Sequence, residues 1–353
     1  MADIAKEAGL KADELMLVAA SQLFSYLWNT AWAQAQGTLE GDADALHDMR
    51  VAMRRLRTAL QSFEGTSEAP LLPPHLRREL ARQRRKLGKL GDALGAVRDF
   101  DVLKGHLKDY LEEHEVTPTN KAKRVLPTVA DGGLEDLKDF LKSEREAAFP
   151  HMVEQIQESM EPGGLRENFA RFALGLPAAS APPLLLKGAA QLIVPLRINE
   201  VLHCAPLLHD SHDAIGHHEF RKALRRLRYS LEMLAPCLSV PVGPHIKRLT
   251  QLQDLLGEMQ DRQVLCGTAQ AAFKLDEPIH FKPIKGNKQP QLPASNAAKQ
   301  YEFKLPKKHS LPPDVIEFLA YGESRRHELL KQARDLWEEQ QKRHWPQSLA
   351  EDV

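Results

Sequence analysis

Two stretches of this chain carry histidine and arginine at one spacing: His47, Arg50, Arg54 and Arg57, then, 171 positions on, His218, Arg221, Arg225 and Arg228. On a helix turning about 100° per residue, each set falls within an arc of roughly 80°, which makes one cationic stripe built twice. A third set, His75, Arg78, Arg82, Arg85 and Lys89, occupies a similar arc, and Lys222 adds a charge beside the second stripe. Like charges about 6 Å apart repel by roughly 2 to 3 kcal/mol at an effective dielectric near 20, so such rows need a neutraliser. It is either internal carboxylate or an external anion. Internal candidates exist in Glu232, Asp99, Asp261 and the nine carboxylates between positions 131 and 161. The stripes themselves hold none, and the pattern recurs, which favours the external anion. The planar guanidinium gives phosphate two parallel hydrogen bonds, and several at one-turn intervals suit a linear, repeating polyanion better than one small ester. Tyr229 adjoins the second stripe, but no aromatic side chain interleaves with the arginines to stack on nucleobases. His47 and His218 read as cations that a phosphate neighbour could switch on near neutral pH.

The elements that must hold these stripes are helices. Leu46, Met49, Met53, Leu56, Leu60 and Phe63 run beside the first stripe, and Phe220, Leu224, Leu227, Leu231 and Leu234 beside the second. Each helix therefore buries one face, and the arginines lie next to that seam rather than opposite it. Periodicity and breakers predict helices over 12–36, 43–64, 75–114, 133–160, 186–208, 214–236, 244–272 and 313–344. Almost no sheet is expected. Leu94-Gly95 with Asp99 and Asp101 matches Leu256-Gly257 with Asp261 and Gln263 at an offset of 162, a second internal similarity. The fold class expected is all-α: two antiparallel four-helix bundles, 12–165 and 183–345, related by an internal pseudo-twofold duplication. Residues 273–311, rich in proline and lysine, interrupt the second copy as an irregular insertion. Asp99, Asp101 and Asp261 fall at helix ends or breaks, where capping or orienting arginine suits them better than catalysis.

Of 353 residues, 48 are Lys or Arg and 48 Asp or Glu, so a role with polyanions has to come from segregated charge, not net charge. Three cysteines without a close-set pair, Cys204, Cys237 and Cys266, argue against a disulfide framework and for a reducing compartment. No apolar run spans a bilayer and no secretory signal is evident, so the expected place is the cytoplasm, with no membrane partner.

His47-x-x-Arg50-Val-x-x-Arg54-Arg55-Leu-Arg57, Leu94-Gly95-x-x-Arg98-Asp99-x-Asp101-Val and His218-x-x-Arg221-x-x-x-Arg225-Arg226-Leu-Arg228-Tyr229-x-x-Glu232 together resemble the CHAD domain, the conserved histidine α-helical domain, from about residue 12 to 344. The resemblance implies two helical bundles around a basic central channel that binds inorganic polyphosphate, often at polyphosphate granules, without catalysis. By motif match His47, Arg50, Arg54, Arg57, His218, Arg221, Arg225 and Arg228 line that channel. Arg82, Arg85 and Lys89 extend it, and Lys247 and Arg248 are their weaker counterparts. Pro244 and Gln251 stand where Arg82 and Lys89 have equivalents, so one end is expected to grip more strongly.

Two other classes compete. A helical binder of nucleic acid shares the phosphate chemistry. An HD-type metal phosphohydrolase would assemble His47-Asp48, His209-Asp210 and His212-Asp213 around a divalent ion, against the repulsion of the neighbouring arginines. The arginine stripes and the family resemblance together point to a non-enzymatic binder, with no catalytic residue, metal or cofactor expected.

Overall fold

The computed structural model describes residues 4–66, 70–115, 132–211, 213–275, 280–283, 301–304 and 311–352. Eleven α-helices are found among them: α1 (Ile4–Glu7), α2 (Met16–Ala33), α3 (Ala35–Leu39), α4 (Ala43–Glu64), α5 (Pro74–Glu115), α6 (Gly133–Met160), α7 (Leu165–Gly175), α8 (Leu186–Cys204), α9 (Ala214–Leu234), α10 (Gly243–Ala272) and α11 (Pro313–Lys342). The fold is all-α. The helix expected over 12–36 is broken instead: Leu15 pairs with Leu185 in an isolated bridge, and the chain restarts at Ala35. Helix α7 escaped the sequence reading because glycines and prolines crowd it on both sides, although Phe169, Ala173 and Leu176 bury at helical spacing.

A small antiparallel ribbon corrects the expectation of an irregular insertion. Strands β1 (His280–Pro283) and β2 (Tyr301–Lys304) pair in the register Phe281 to Phe303. Tyr301 and Phe303 alternate with Glu302 and Lys304, the period of two that a strand needs, but over only four residues. Pro278, Lys285, Lys288, Pro290, Pro293, Pro306, Lys307 and Lys308 of that insertion lie outside the described residues.

The chain forms two compact units, and each draws on both of the spans 12–165 and 183–345. The first comprises 1–98, 148–254 and 334–353. Here α2 packs on α4, α8 on α9, and α4 on α9. Leu23, Phe24, Leu56, Leu60, Phe63, Ile193, Phe220 and Leu227 are buried at this core, with Phe24 edge-on to Phe63 at 5.7 Å between ring centroids. Asp42 starts α4 by accepting hydrogen bonds from the Asp44 and Ala45 amides, and Asp213 starts α9 through the Gly216 amide. These caps fix where the arginine rows begin.

The second unit comprises 99–147 and 255–333. Its core gathers Leu103, Leu107, Tyr110, Leu137, Leu141, Leu265, Val315, Phe318 and Leu319. Asp99 and Asp101 lie inside α5 and Asp261 inside α10, not at the helix ends or breaks expected of them. Of the roles expected, Asp101 takes the arginine-orienting one by accepting from Arg145 Nε at 2.6 Å, and Asp261 lies 3.6 Å from His106. Burial acts to raise the Glu323 carboxyl, but hydrogen bonds from Arg326 and His327 outweigh it and hold the group at about 2. The three cysteines are free thiols, and burial pushes Cys266 up to about 12. No helix among the described residues is long and apolar enough to cross a membrane.

Candidate anion-binding site

Every cation singled out in the sequence falls in the first compact unit. The packing of α4 on α9 brings the two stripes together, because the arginines flank the apolar seams that meet there. Arg54 Nε donates to Tyr229 Oη at 3.2 Å. Arg225 lies in the field of Arg54, Arg221 and Arg228, and burial together with these three cations pushes its guanidinium down to about 9. Among the described residues the Arg225 side chain makes neither a hydrogen bond nor an ion pair. It is a partly buried cation facing cations.

Each Arg-Arg doublet is divided between two tasks. Arg55 reaches Glu232 at 3.4 Å, and Arg226 Nε donates to Glu200 at 2.7 Å. Glu200 also takes the buried Arg197, whose second amino group points to Ser62. The first members of the doublets, Arg54 and Arg225, receive no carboxylate among the described residues. Tyr229 sits at the junction, with the Arg55 and Arg228 guanidinia 5.5 and 5.0 Å from its ring centroid. Burial works to raise the Tyr229 phenol, but Arg54, Arg228 and Arg225 outweigh it and draw the group below its usual value.

The outer arginines rest on the neighbouring helices. Arg57 reaches Asp92 of α5 at 4.0 Å, while Arg228 donates to Thr250 of α10 at 3.1 Å and lies 3.6 Å from Glu232. Asp254 of α10 feels Arg228 and Arg221, although burial raises its carboxyl overall. Asp92 and Asp254 stand 162 positions apart, the offset of the two Leu-Gly segments. His47 is lowered first by burial and then by Arg98, with Arg54 and Arg50 adding to them against an opposing pull from Asp48.

A model of the CHAD domain matches residues 22–270. The chain belongs to the CHAD domain family. It is similar to the crystal structure of the CHAD domain from the plant Ricinus communis, with a TM-score of 0.55 and 24% identity over 73% of this chain and 78% of that one. It is also similar to PptA from Streptomyces chartreusis, with a TM-score of 0.53 and 13% identity over 92% of this chain and 100% of that one. At these identities the likeness is one of fold. No curated protein matches the sequence.

The other cations of this CHAD domain are less gathered. His75, Arg78, Arg82, Arg85 and Lys89 lie exposed along α5, with Arg82 held by Glu79 of its own helix at 3.2 Å. Lys222 is paired with Glu219 at 2.8 Å. Lys247 is exposed and Arg248 partly so, and like Arg78, Arg85 and Lys89 they form no ion pair among the described residues. Tyr229, Glu232 and Glu200 are the contributors that the charge pattern passed over as site residues. Tyr229 and Glu232 stood inside a quoted motif, whereas Glu200 carried no signal. Of the residues in the metal-hydrolase reading, Asp213 is engaged in capping α9 and His212 lies outside the described residues. No group of three or more histidine, cysteine or acidic side chains among the described residues is placed to hold a metal ion.

Proposed function

We propose that this CHAD domain binds inorganic polyphosphate through the arginine cluster of α4 and α9, as a non-enzymatic module of the cytoplasm that associates with polyphosphate granules. The observation that carries the reading is Arg225. A guanidinium facing three others without a carboxylate is an arrangement that an anion relieves, and each charge-assisted bond to phosphate is worth on the order of 1.5 to 3 kcal/mol. The division of the doublets supports it, because carboxylates neutralise Arg55 and Arg226 and leave Arg54 and Arg225 for a ligand. His47, Arg50, Arg57, His218, Arg221 and Arg228 flank that pair, and the exposed row on α5 together with Lys247 and Arg248 extends the positive surface for a long chain.

The test is calorimetric titration of long-chain polyphosphate into the wild type and an Arg54→Glu/Arg225→Glu double variant at two salt concentrations, with RNA as competitor. Tight, salt-sensitive binding that is absent in the variant and resists RNA is expected. Displacement by RNA at equal charge would instead make this a general binder of nucleic-acid backbones. Equal binding by both proteins, or by neither, would overturn the assignment.

A further inference from the structure

We infer that Gly88, Gly91 and Gly95 of α5 are positioning residues of the anion site, forming a side-chain-free bed on which the Arg57 and Arg50 guanidinia lie. The ligand in this inference rests on the polyphosphate reading; the bed itself rests on geometry. The three glycines are spaced so that they share an arc of about 60° on one helix face. A Cβ added to Gly88 would lie 3.6 Å from Arg57 Nη2, one on Gly91 would lie 3.4 Å from Arg57 Nη1, and one on Gly95 would lie 3.5 Å from Arg50 Nη2 and 3.6 Å from its Cζ. Around Gly88 and Gly91 no other described group outside the local helix comes within 4 Å, so the glycines do not serve close packing of backbone or of apolar side chains.

Nor does conformation require them. All three have ordinary right-handed helical backbone, where glycine is the least favourable residue after proline. What glycine supplies here is room. A methyl would just touch the guanidinium, and anything longer would occupy its place. The corresponding contact in the second repeat is made differently: Thr250, 162 positions after Gly88, accepts a hydrogen bond from Arg228, the counterpart of Arg57. One half seats its outer arginine by space and the other by a hydroxyl.

The experiment uses the full chain with Gly91→Ala, Gly95→Ala, Gly91→Leu and Gly95→Leu, titrated with long-chain polyphosphate over a salt series. Arginine Nε–Hε resonances are followed in parallel by nuclear magnetic resonance. The alanine variants are expected to melt higher and to bind within about twofold of wild type, since helix propensity rises and the guanidinia stay in place. The leucine variants are expected to bind about tenfold more weakly, with the logarithmic salt slope reduced by about one for each displaced phosphate contact. Gly91→Leu should add nothing further once Arg57→Ala is present, because its effect runs through that side chain. Leucine variants that bind as wild type with unmoved Arg50 and Arg57 signals would overturn the inference. Gly91→Leu, at a half-exposed position, provides a reading even where Gly95→Leu fails to fold. Moved arginine signals in a protein that never bound polyphosphate would sink the function proposed above and leave the bed standing.

Discussion

Arg54 Nε and Tyr229 Oη lie 3.2 Å apart and tie the first arginine row to the helix that carries the second. The phenol is buried and accepts from a cation, so removing its oxygen leaves the Arg54 guanidinium without that hydrogen bond and without a fixed direction. Tyr229→Phe is expected to lower stability by about 1 kcal/mol and to weaken polyphosphate binding several-fold, the ring contacts to Arg55 and Arg228 being kept. Thermal unfolding and titration on the same preparation check both.

Arg225→Met should do the opposite to stability. Deleting a cation that faces Arg54, Arg221 and Arg228 removes repulsion, and the methionine stem keeps most of the apolar contact. A gain on the order of 1 kcal/mol in the ligand-free protein is expected, together with at least tenfold weaker polyphosphate binding. Added salt should stabilise the wild type more than the variant, because screening weakens the same repulsion. Denaturant unfolding at low and high salt measures it. Destabilisation by Arg225→Met would contradict the reading of this residue as unneutralised.

The doublets give a pair of opposed phenotypes. Arg55→Ala takes from Glu232, which is 6% exposed, the nearer of its two arginine partners and leaves only Arg228 at 3.6 Å, which should cost on the order of 1 to 3 kcal/mol with little loss of affinity once the protein is folded. Arg54→Ala should spare most of the stability and lose the affinity. Unfolding midpoints and dissociation constants measured on both variants would separate the two roles, and equal losses in both would merge them.

His47 carries a pH dependence whose sign follows from its environment. Its folded value lies below the ordinary 6.5 because of burial first and Arg98 next, Arg54 and Arg50 adding to them against the upward pull of Asp48. As pH falls below 6.5 the unfolded chain takes up a proton before the folded one does, so the stability this imidazole contributes is present above that pH and is lost below it. A polyanion beside it reverses the preference. Binding should strengthen as pH drops from 7 toward 5, with proton uptake, and His47→Asn should flatten the profile. Titration in two buffers of different ionisation enthalpy counts the protons.

The helices that carry charge were legible because their two periodicities agree. Leu46, Met49, Met53, Leu56 and Leu60 mark the seam of α4, and the arginines beside it could only flank that seam. The same holds for α9, and it is why both stripes arrive in one compact unit. The identity of the neutralisers was not legible. Glu200 lies 26 positions from Arg226 and Glu232 lies 177 from Arg55, so nothing in local spacing indicates which arginine of a doublet a carboxylate claims. The internal lattice expected of Glu232 is present for Arg55 and Arg228, yet it stops short of Arg54 and Arg225. The ribbon of β1 and β2 was missed for a simpler reason, since four residues of alternation are too few to stand out among prolines.

The order of the segments in the first compact unit bears on synthesis. That unit includes residues 334–353, where Arg334 donates to the Leu208 and His209 carbonyls at 2.8 Å and the buried Trp345 donates to His245 at 3.1 Å. The arginine rows of α4 and α9 therefore leave the ribosome well before the last pieces of the unit that holds them. During translation this repelling cluster waits for the segments that complete its unit, and on the polyphosphate-binding function proposed above the polymer would serve as a counter-charge while the chain is still being made.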